Sequence, residues 1–545
     1  MLHDWYFQVK NPVFEFCGQK FSVELFTRTN RYDLDPDLCE TQQSANEFRV
    51  SCRGLAWAGG QERAEGGLTL SVRRERGRLV FSGEGWRPEH VTRAKIKLYG
   101  QPEGRIVARR RYDETVSESG CIFRYPNGWD DLFTPLVNIV DKNGKVHFYR
   151  SLDTKVRPKT FCIRKQHEDV FVEMIFEEDA RHAGNRIVIP AWEIGTCDST
   201  DEIYREQAEY VAKAYGLKKW NERTDIPAWA RDISLVVSLH GMHWSGYIFN
   251  DYAAMREKLE WLAERIDPKN VLVYIPGFDG RYYYKYCDYT PDERMGGKDG
   301  FKSLMDYAHS KGYHVMPMFM INGANPDTPG FGFWGEPSRY RGPNNYQLGV
   351  GSCDWDTSRG HDLGCGVGLN PGAPLWQDRL VEELVKQIGE YSMDGVFLDL
   401  AAIYHNDPMY STVEGSEQIA TRLHEKFPQL LIGTEGWYDA LGKFFPFSQC
   451  AGNGCNGEMI WHDTPYAPFY DEYNRYFGHL CLGDAAEHRN GVFEWGTNPA
   501  ETRLPVRKGI IPTLTVLEDT LEKAPEKVMQ VIADANEYRK KFIGK

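Results

Sequence analysis

Polar and apolar positions alternate at period two through the first 198 residues. Runs such as FEFCGQKFSVELF, EFRVSCRG, LTLSVRR, RLVFSGEGW, AKIKLYG, KVHFYRSL, KTFCIRK, DVFVEMIFEE and NRIVIPAW have the alternation and the β-branched and aromatic content of half-buried strands. Gly, Asn and Asp punctuate them, and DKNGK at 141–145 carries a hairpin signal. Frequent short strands with hardly any helical period predict a β-sandwich.

Near residue 200 the period changes. Asp198, Ser199 and Thr200 offer helix caps, and Ile203, Tyr204, Ala208, Val211, Ala212 and Tyr215 then fall on one helical face. From Ile233 onward apolar strands alternate with amphipathic helices. The strand candidates are ISLVVSL (233–239), NVLVYIPG (270–277), YHVMPMFMI (313–321), GVFLDL (395–400) and LLIGTEGW (430–437). FPFSQC (445–450), GEMIWHD (457–463) and GHLCLGD (478–484) complete a count of eight. Between them run helical stripes such as Met255, Leu259, Leu262, Ile266 and Trp376, Leu380, Leu384, Ile388. Apolar strands separated by helices imply a parallel sheet covered on both faces. The count and the length suit a closed (β/α)8 TIM barrel. A doubly wound sheet is the rival, but NPGAP and DTPGFGFWG read as turns and nothing marks a nucleotide site. The expected organisation is a β-sandwich over 1–200, a helical linker over 201–228 and a barrel over 229–545.

Composition changes this picture little. Apolar residues are 41% and charged residues 26%, which fits large folded cores. Lys+Arg at 65 against Asp+Glu at 78 leaves −13, so neither nucleic acid nor an anionic membrane is expected as a partner. No uncharged apolar run reaches the roughly 18 residues of a spanning helix. No leader pattern opens the chain, so a cytoplasmic location is expected, although a trimmed secreted chain would read the same. The twelve cysteines are scattered without a CxxC pair and read as reduced, mostly buried thiols. A homo-oligomer is compatible with the sequence.

Chemistry in a barrel sits at the carboxyl ends of the strands. Read in order, those ends offer His240 with His243 and Trp244 beyond it, then Asp279, Asn322, Asp399 and Glu435. The last two candidates offer His462 with Asp463, and Asp484. Acids on neighbouring strands four and five can face each other across about 5 Å, where one attacks a sugar carbon and the other donates a proton. A third carboxylate can bind neighbouring hydroxyls. Plainer roles exist for each: a helix cap for Asp399, a structural hydrogen bond for Glu435, turns for Asp279 and Asp463, core histidines for His405 and His462. The chain holds 15 Trp, 30 Tyr and 28 Phe. Trp244, Trp334, Trp437 and Trp461 are the candidate platforms for stacking on sugar. The Gly/Pro-rich loop 322–372, with Trp334, Arg339, Arg341 and Asp356, is read as shaping the pocket. His240, His243 and Asp279 together are a weak metal alternative, since HGMH lacks the HExxH arrangement.

At GVFLDL, TEGW and WHD the sequence resembles retaining α-glycoside hydrolases on a (β/α)8 barrel: glycoside hydrolase family 13 and its distant relatives, families 101 and 129. The stretch NPGAPLWQDRLVEELVKQIGEYSMDGVFLDL also resembles families 31 and 36. The resemblance implies Asp399 as nucleophile, Glu435 as acid/base and Asp463, after His462, as a substrate contact. It implies an oligosaccharide or glycoside as substrate and no cofactor. The departures are specific. Family 13 has Arg two residues before its nucleophile, where this chain has Phe397, and families 31 and 36 place the acid on strand six. The chain also leaves no room for the C-terminal β-domain many such enzymes carry. The reading is therefore a retaining glycosidase, with a glycan-binding protein on a degenerate barrel, or a metal-dependent hydrolase, as the alternatives.

Overall fold

The computed structural model describes residues 11–108, 114–128, 131–243, 246–280, 285–345, 367–451, 465–478, 506–523 and 525–544. Its first part is antiparallel β throughout. The strand Arg78–Tyr99 organises it, running for 22 residues. Its first half pairs with Gly67–Glu75 and with Gly184–Cys197. Its second half pairs with Gln19–Thr27 and Asp169–Glu177. One strand thus belongs to two layers. The first layer continues through Val146–Ser151 to Leu136–Asp141. The second continues through Lys159–Gln166 to Cys121–Tyr125. The inward residues of both interdigitate as the period-two pattern requires. Phe21 meets Phe81 edge-on at 5.3 Å, and Phe161 meets Trp192 at 5.4 Å.

The second part is an eight-stranded parallel sheet whose strands lie in chain order and curl into a nearly closed barrel. We number them β1 (Leu235–Leu239), β2 (Val271–Ile275), β3 (His314–Met320), β4 (Gly395–Asp399), β5 (Leu431–Glu435), β6 (Phe447–Ala451), β7 (Arg475–Gly478) and β8 (Thr513–Val516). β8 pairs with β1, and β7 meets the run into β8 through a Tyr476–Ile510 bridge. The first six strands fall where the apolar runs predict them. The last two do not. Of GHLCLGD only Gly478, the end of β7, lies among the described residues, and β8 is the short TLTV run. GEMIWHD lies outside the described residues, among which the sheet already has eight strands. The reason is that RYFG and TLTV are four residues each, too short to carry a period of their own.

Helices Tyr252–Ala263, Gly297–Lys311, Pro374–Tyr391, Thr412–Lys426 and Pro525–Tyr538 follow β1, β2, β3, β4 and β8. After β5 the described chain makes only the tight turn Asp439–Lys443, and another, Ala467–Tyr470, precedes β7. The helix Thr200–Tyr215 packs on both turns. Its N-cap Ser199 accepts from the Glu202 amide, and Gly216 in the left-handed region ends it. Its face Ile203, Tyr204, Ala208 and Val211 joins the barrel's outer core, so the connector fills part of the helical layer there.

Candidate active site

The barrel lumen is closed from below by a layer of large side chains. Tyr274 of β2 lies 4.7 Å from Phe397 of β4 and 5.7 Å from Phe477 of β7, and Phe447 of β6 stacks on Phe477 at 5.0 Å. Gly433 of β5 completes the layer because Met316 occupies the space its side chain would take. A Cβ there would stand 2.8 Å from the Met316 sulfur. Side chains two residues further along a strand point the same way. Asp399 is two beyond Phe397 and Glu435 two beyond Gly433, so both acids face the lumen directly above this floor.

The register sets them side by side. Leu398 pairs with Thr434, and Asp399 and Glu435 are the next residues of their strands. The Leu400 amide donates to Glu435 Oε2 at 3.1 Å. Leu400 achieves this by adopting a left-handed backbone, φ 58°. Tyr286 donates its hydroxyl to Asp399 Oδ2 at 3.4 Å. Asn322 Nδ2 donates to the Leu400 carbonyl at 2.9 Å, tying the end of β3 to the end of β4. Both acids are nearly buried, at 3% and 7% exposure.

Asp279, just past β2, is wholly buried, and among the described residues neither of its carboxyl oxygens has a hydrogen-bond partner. Lys285 donates instead to the Asp279 backbone carbonyl and to Asp292. Burial pushes the Asp279 carboxyl up to about 8. An acid held this way is a strong demand for hydroxyl donors. His240 closes β1, where Asn250 Nδ2 bonds both the His240 and the Val516 carbonyls and so joins β1 to β8. Its ring packs 5.2 Å from Phe249.

Two of the four aromatic platforms expected from the sequence, Trp334 and Trp437, are buried among other side chains. Trp437 is fully buried and meets Tyr470 and Tyr476 edge-on. Trp334 stacks on Trp376 at 5.8 Å, and Trp376 bonds the Ile321 carbonyl beside Asn322. Both indoles are buried against these partners, Trp334 at 8% exposure and Trp437 at 0%. His405 packs on Tyr340 at 4.3 Å, and burial holds its pKa below the usual imidazole value. Trp244, Asp356, Trp461, His462, Asp463 and Asp484 lie outside the described residues. Arg339 pairs with Glu336 at 2.7 Å, and the Arg341 amide bonds Asp407. Among the described residues no group of three or more His, Cys, Asp or Glu side chains is placed to hold a metal ion. Nor is any helix there long and apolar enough to cross a membrane.

Sequence reasoning missed Tyr286 and Tyr289. Tyr289 accepts from the Met320 amide at 3.1 Å and lies 5.8 Å from Tyr286. The signal was present as the tyrosine-rich run after β2, but nothing local says that this run folds back over β3 and β4.

No family model and no curated protein matches the chain. Solved structures do. An α-N-acetylgalactosaminidase, NagBb from Bifidobacterium bifidum, superposes with a TM-score of 0.63 at 13% identity, over 96% of this chain and 89% of its own. The family 36 α-galactosidase AgaB from Geobacillus stearothermophilus gives 0.54 at 11% identity, over 95% and 75%. The galactosidase domain of an α-galactosidase-sucrose kinase gives 0.52 at 13%, over 95% and 71%. The chain therefore has the two-part fold, β-sandwich and (β/α)8 barrel, on which these enzymes are built.

Proposed function

We propose that this chain is a retaining α-glycosidase acting on a terminal α-linked sugar of galactose type. The observation that carries the reading is the pairing of Asp399 and Glu435 on adjacent strands, at one level and on the lumen side. Adjacent strands are about 4.8 Å apart, and a double displacement uses carboxylates separated by about 5–5.5 Å. Asp399 attacks the anomeric carbon as the leaving oxygen takes the proton of Glu435. A glycosyl ester on Asp399 results. Glu435 then takes a proton from water, the water oxygen bonds the anomeric carbon, and the Asp399 ester breaks. The Leu400 amide keeps Glu435 oriented between the two steps, and the Tyr286 hydroxyl does the same for Asp399. The unpartnered oxygens of Asp279 suit a pair of sugar hydroxyls. The galactose-type substrate rests on the fold shared with α-galactosidases and an α-N-acetylgalactosaminidase.

The test is turnover of aryl α-galactoside, α-N-acetylgalactosaminide and α-glucoside, with β-glycosides alongside. Asp399→Asn is expected to lower kcat by about 10⁴-fold or more while retaining the fold. Azide added to Asp399→Gly should restore turnover and release a glycosyl azide of opposite anomeric configuration. Unchanged rates in Asp399→Asn would overturn the nucleophile assignment.

A further inference from the structure

The sandwich carries a polar depression of ≈ 510 Å³ on the outer face of its first layer, lined by Ser51, Arg53, Thr69, Glu84, Trp86 and Arg186 among others. The pairing registers bring these residues together. Ser51 pairs with Thr69, and Thr69 with Glu84. Gly67 pairs with Trp86, and Trp86 with Arg186. Their strand neighbours Leu68 and Ile187 are buried in the sandwich core, so the named side chains face outward.

Trp86 reaches over Gly67: a Cβ there would stand 2.8 Å from the Trp86 indole nitrogen, so glycine leaves room for that edge of the ring. Trp86 is 40% exposed. Among the described residues neither Glu84 nor Arg186 is engaged in an ion pair. Ser51 and Thr69 hydroxyls stand 3.5 Å apart beside them.

We propose that this surface is a second glycan-binding site, occupied by a neutral stretch of the oligosaccharide or polysaccharide whose terminal sugar the barrel removes. The proposal rests on the glycosidase reading for the identity of that glycan. The chemistry argues for a sugar over other occupants. A partly exposed indole offers an aromatic face to the apolar face of a pyranose. One carboxylate, two guanidinium groups and two hydroxyls within the same depression match its ring of hydroxyls. A single exposed aromatic ring is too little apolar surface for an amphipathic helix. The chain's net charge of −13 disfavours a polyanion. Such a site holds the enzyme on a polymer without touching the bond that is cut.

The experiment is affinity electrophoresis of the full chain through gels containing galactomannan, mucin or dextran. The parent is Asp399→Asn, so that no polymer is consumed. The parent is expected to be retarded by galactomannan or mucin more than by dextran. Trp86→Ala and the pair Glu84→Gln with Arg186→Ala should each weaken retention by about tenfold. In an otherwise native chain both variants should keep kcat and KM for an aryl α-glycoside, a readout that fails separately if the barrel is not a glycosidase. Equal retardation of parent and both variants overturns the site. So does a parent that none of the three polymers retards.

Discussion

Asp279 illustrates how one residue can set a pH dependence. Its carboxyl titrates near 8 in the fold, against an ordinary 3.8. Below pH 3.8 it is neutral whether the chain is folded or not. Above that value the unfolded chain ionises while the folded one does not, so folding loses stability as pH rises from there to about 8. Asp279→Asn removes the effect. The variant is expected to melt at a higher temperature than the parent at pH 8 and at an unchanged temperature at pH 3, by scanning calorimetry. If Asp279 binds substrate hydroxyls as proposed, the variant should also lose about 10–100-fold in kcat/KM, because an amide replaces one of the two accepting oxygens. The stability gain follows from burial alone, so the loss of activity is what separates a binding group from a purely structural acid. The placement of Asp399, Glu435 and Asp279 at or just past strand ends was legible from sequence because each is the first acid after an apolar run. The burial of Trp334 and Trp437 was not legible, because an indole beside a strand end looks the same in sequence whether it faces solvent or packs on a neighbour such as Trp376.

At the scale of elements, register does the work. The pairing of Leu398 with Thr434 makes neighbours of the two acids, and a slip by one residue would turn one acid out of the lumen. The opposite end of β4 is fastened by Asp394. Its carboxylate accepts from the Val315 amide at 2.8 Å and contacts His309 at 2.9 Å and His314 at 3.4 Å. Burial opposes the charge, but these bonds hold the carboxyl at about 2. The hydrogen bond to Asp394 in turn raises the His309 pKa above 6.5. The Asp394 contribution is present above its unfolded value of 3.8 and is lost as pH falls towards about 2. The His309 contribution is present below 6.5 and is lost as pH rises through its raised value. Denaturant titrations should therefore find Asp394→Asn destabilising by on the order of 2 kcal/mol between these limits and harmless in strong acid. Activity per folded molecule should not change, since this is the stability end of the barrel.

Across the whole molecule, the sandwich grips the two loops that leave the acids. Beyond β4, Asn406 bonds the Ala180 amide, Glu177 and the Glu178 carbonyl, each within 2.9 Å. Beyond β5, the Trp437 amide bonds the Gly128 carbonyl and the Asp439 amide bonds the Phe133 carbonyl. Tyr125 donates to Asp439 at 2.6 Å in a fully buried contact. Gly128 has no space for a side chain, since a Cβ would come 2.3 Å from that of Ala402. One core cluster runs from Phe133, Leu136 and Phe148 of the sandwich into the barrel. The two parts should accordingly unfold in one calorimetric transition. Tyr125→Phe should lower its stability by about 1–3 kcal/mol, having left a buried carboxylate oxygen short of a donor. Two separate transitions in the native chain would contradict this coupling.

The order of elements, the change from period two to helical period near residue 200, and the acids at the ends of β4 and β5 were all determined by the sequence itself. They are local properties: alternation, capping and a charged residue closing an apolar run are written within a few residues of one another. The tertiary structure alone decided that RYFG and TLTV close the ring, that Tyr286 reaches Asp399, that Asp279 is left without a partner among the described residues, and that the sandwich clamps both acid-bearing loops. Those outcomes depend on contacts between segments tens to hundreds of residues apart, and no local period encodes which distant surface a segment will meet.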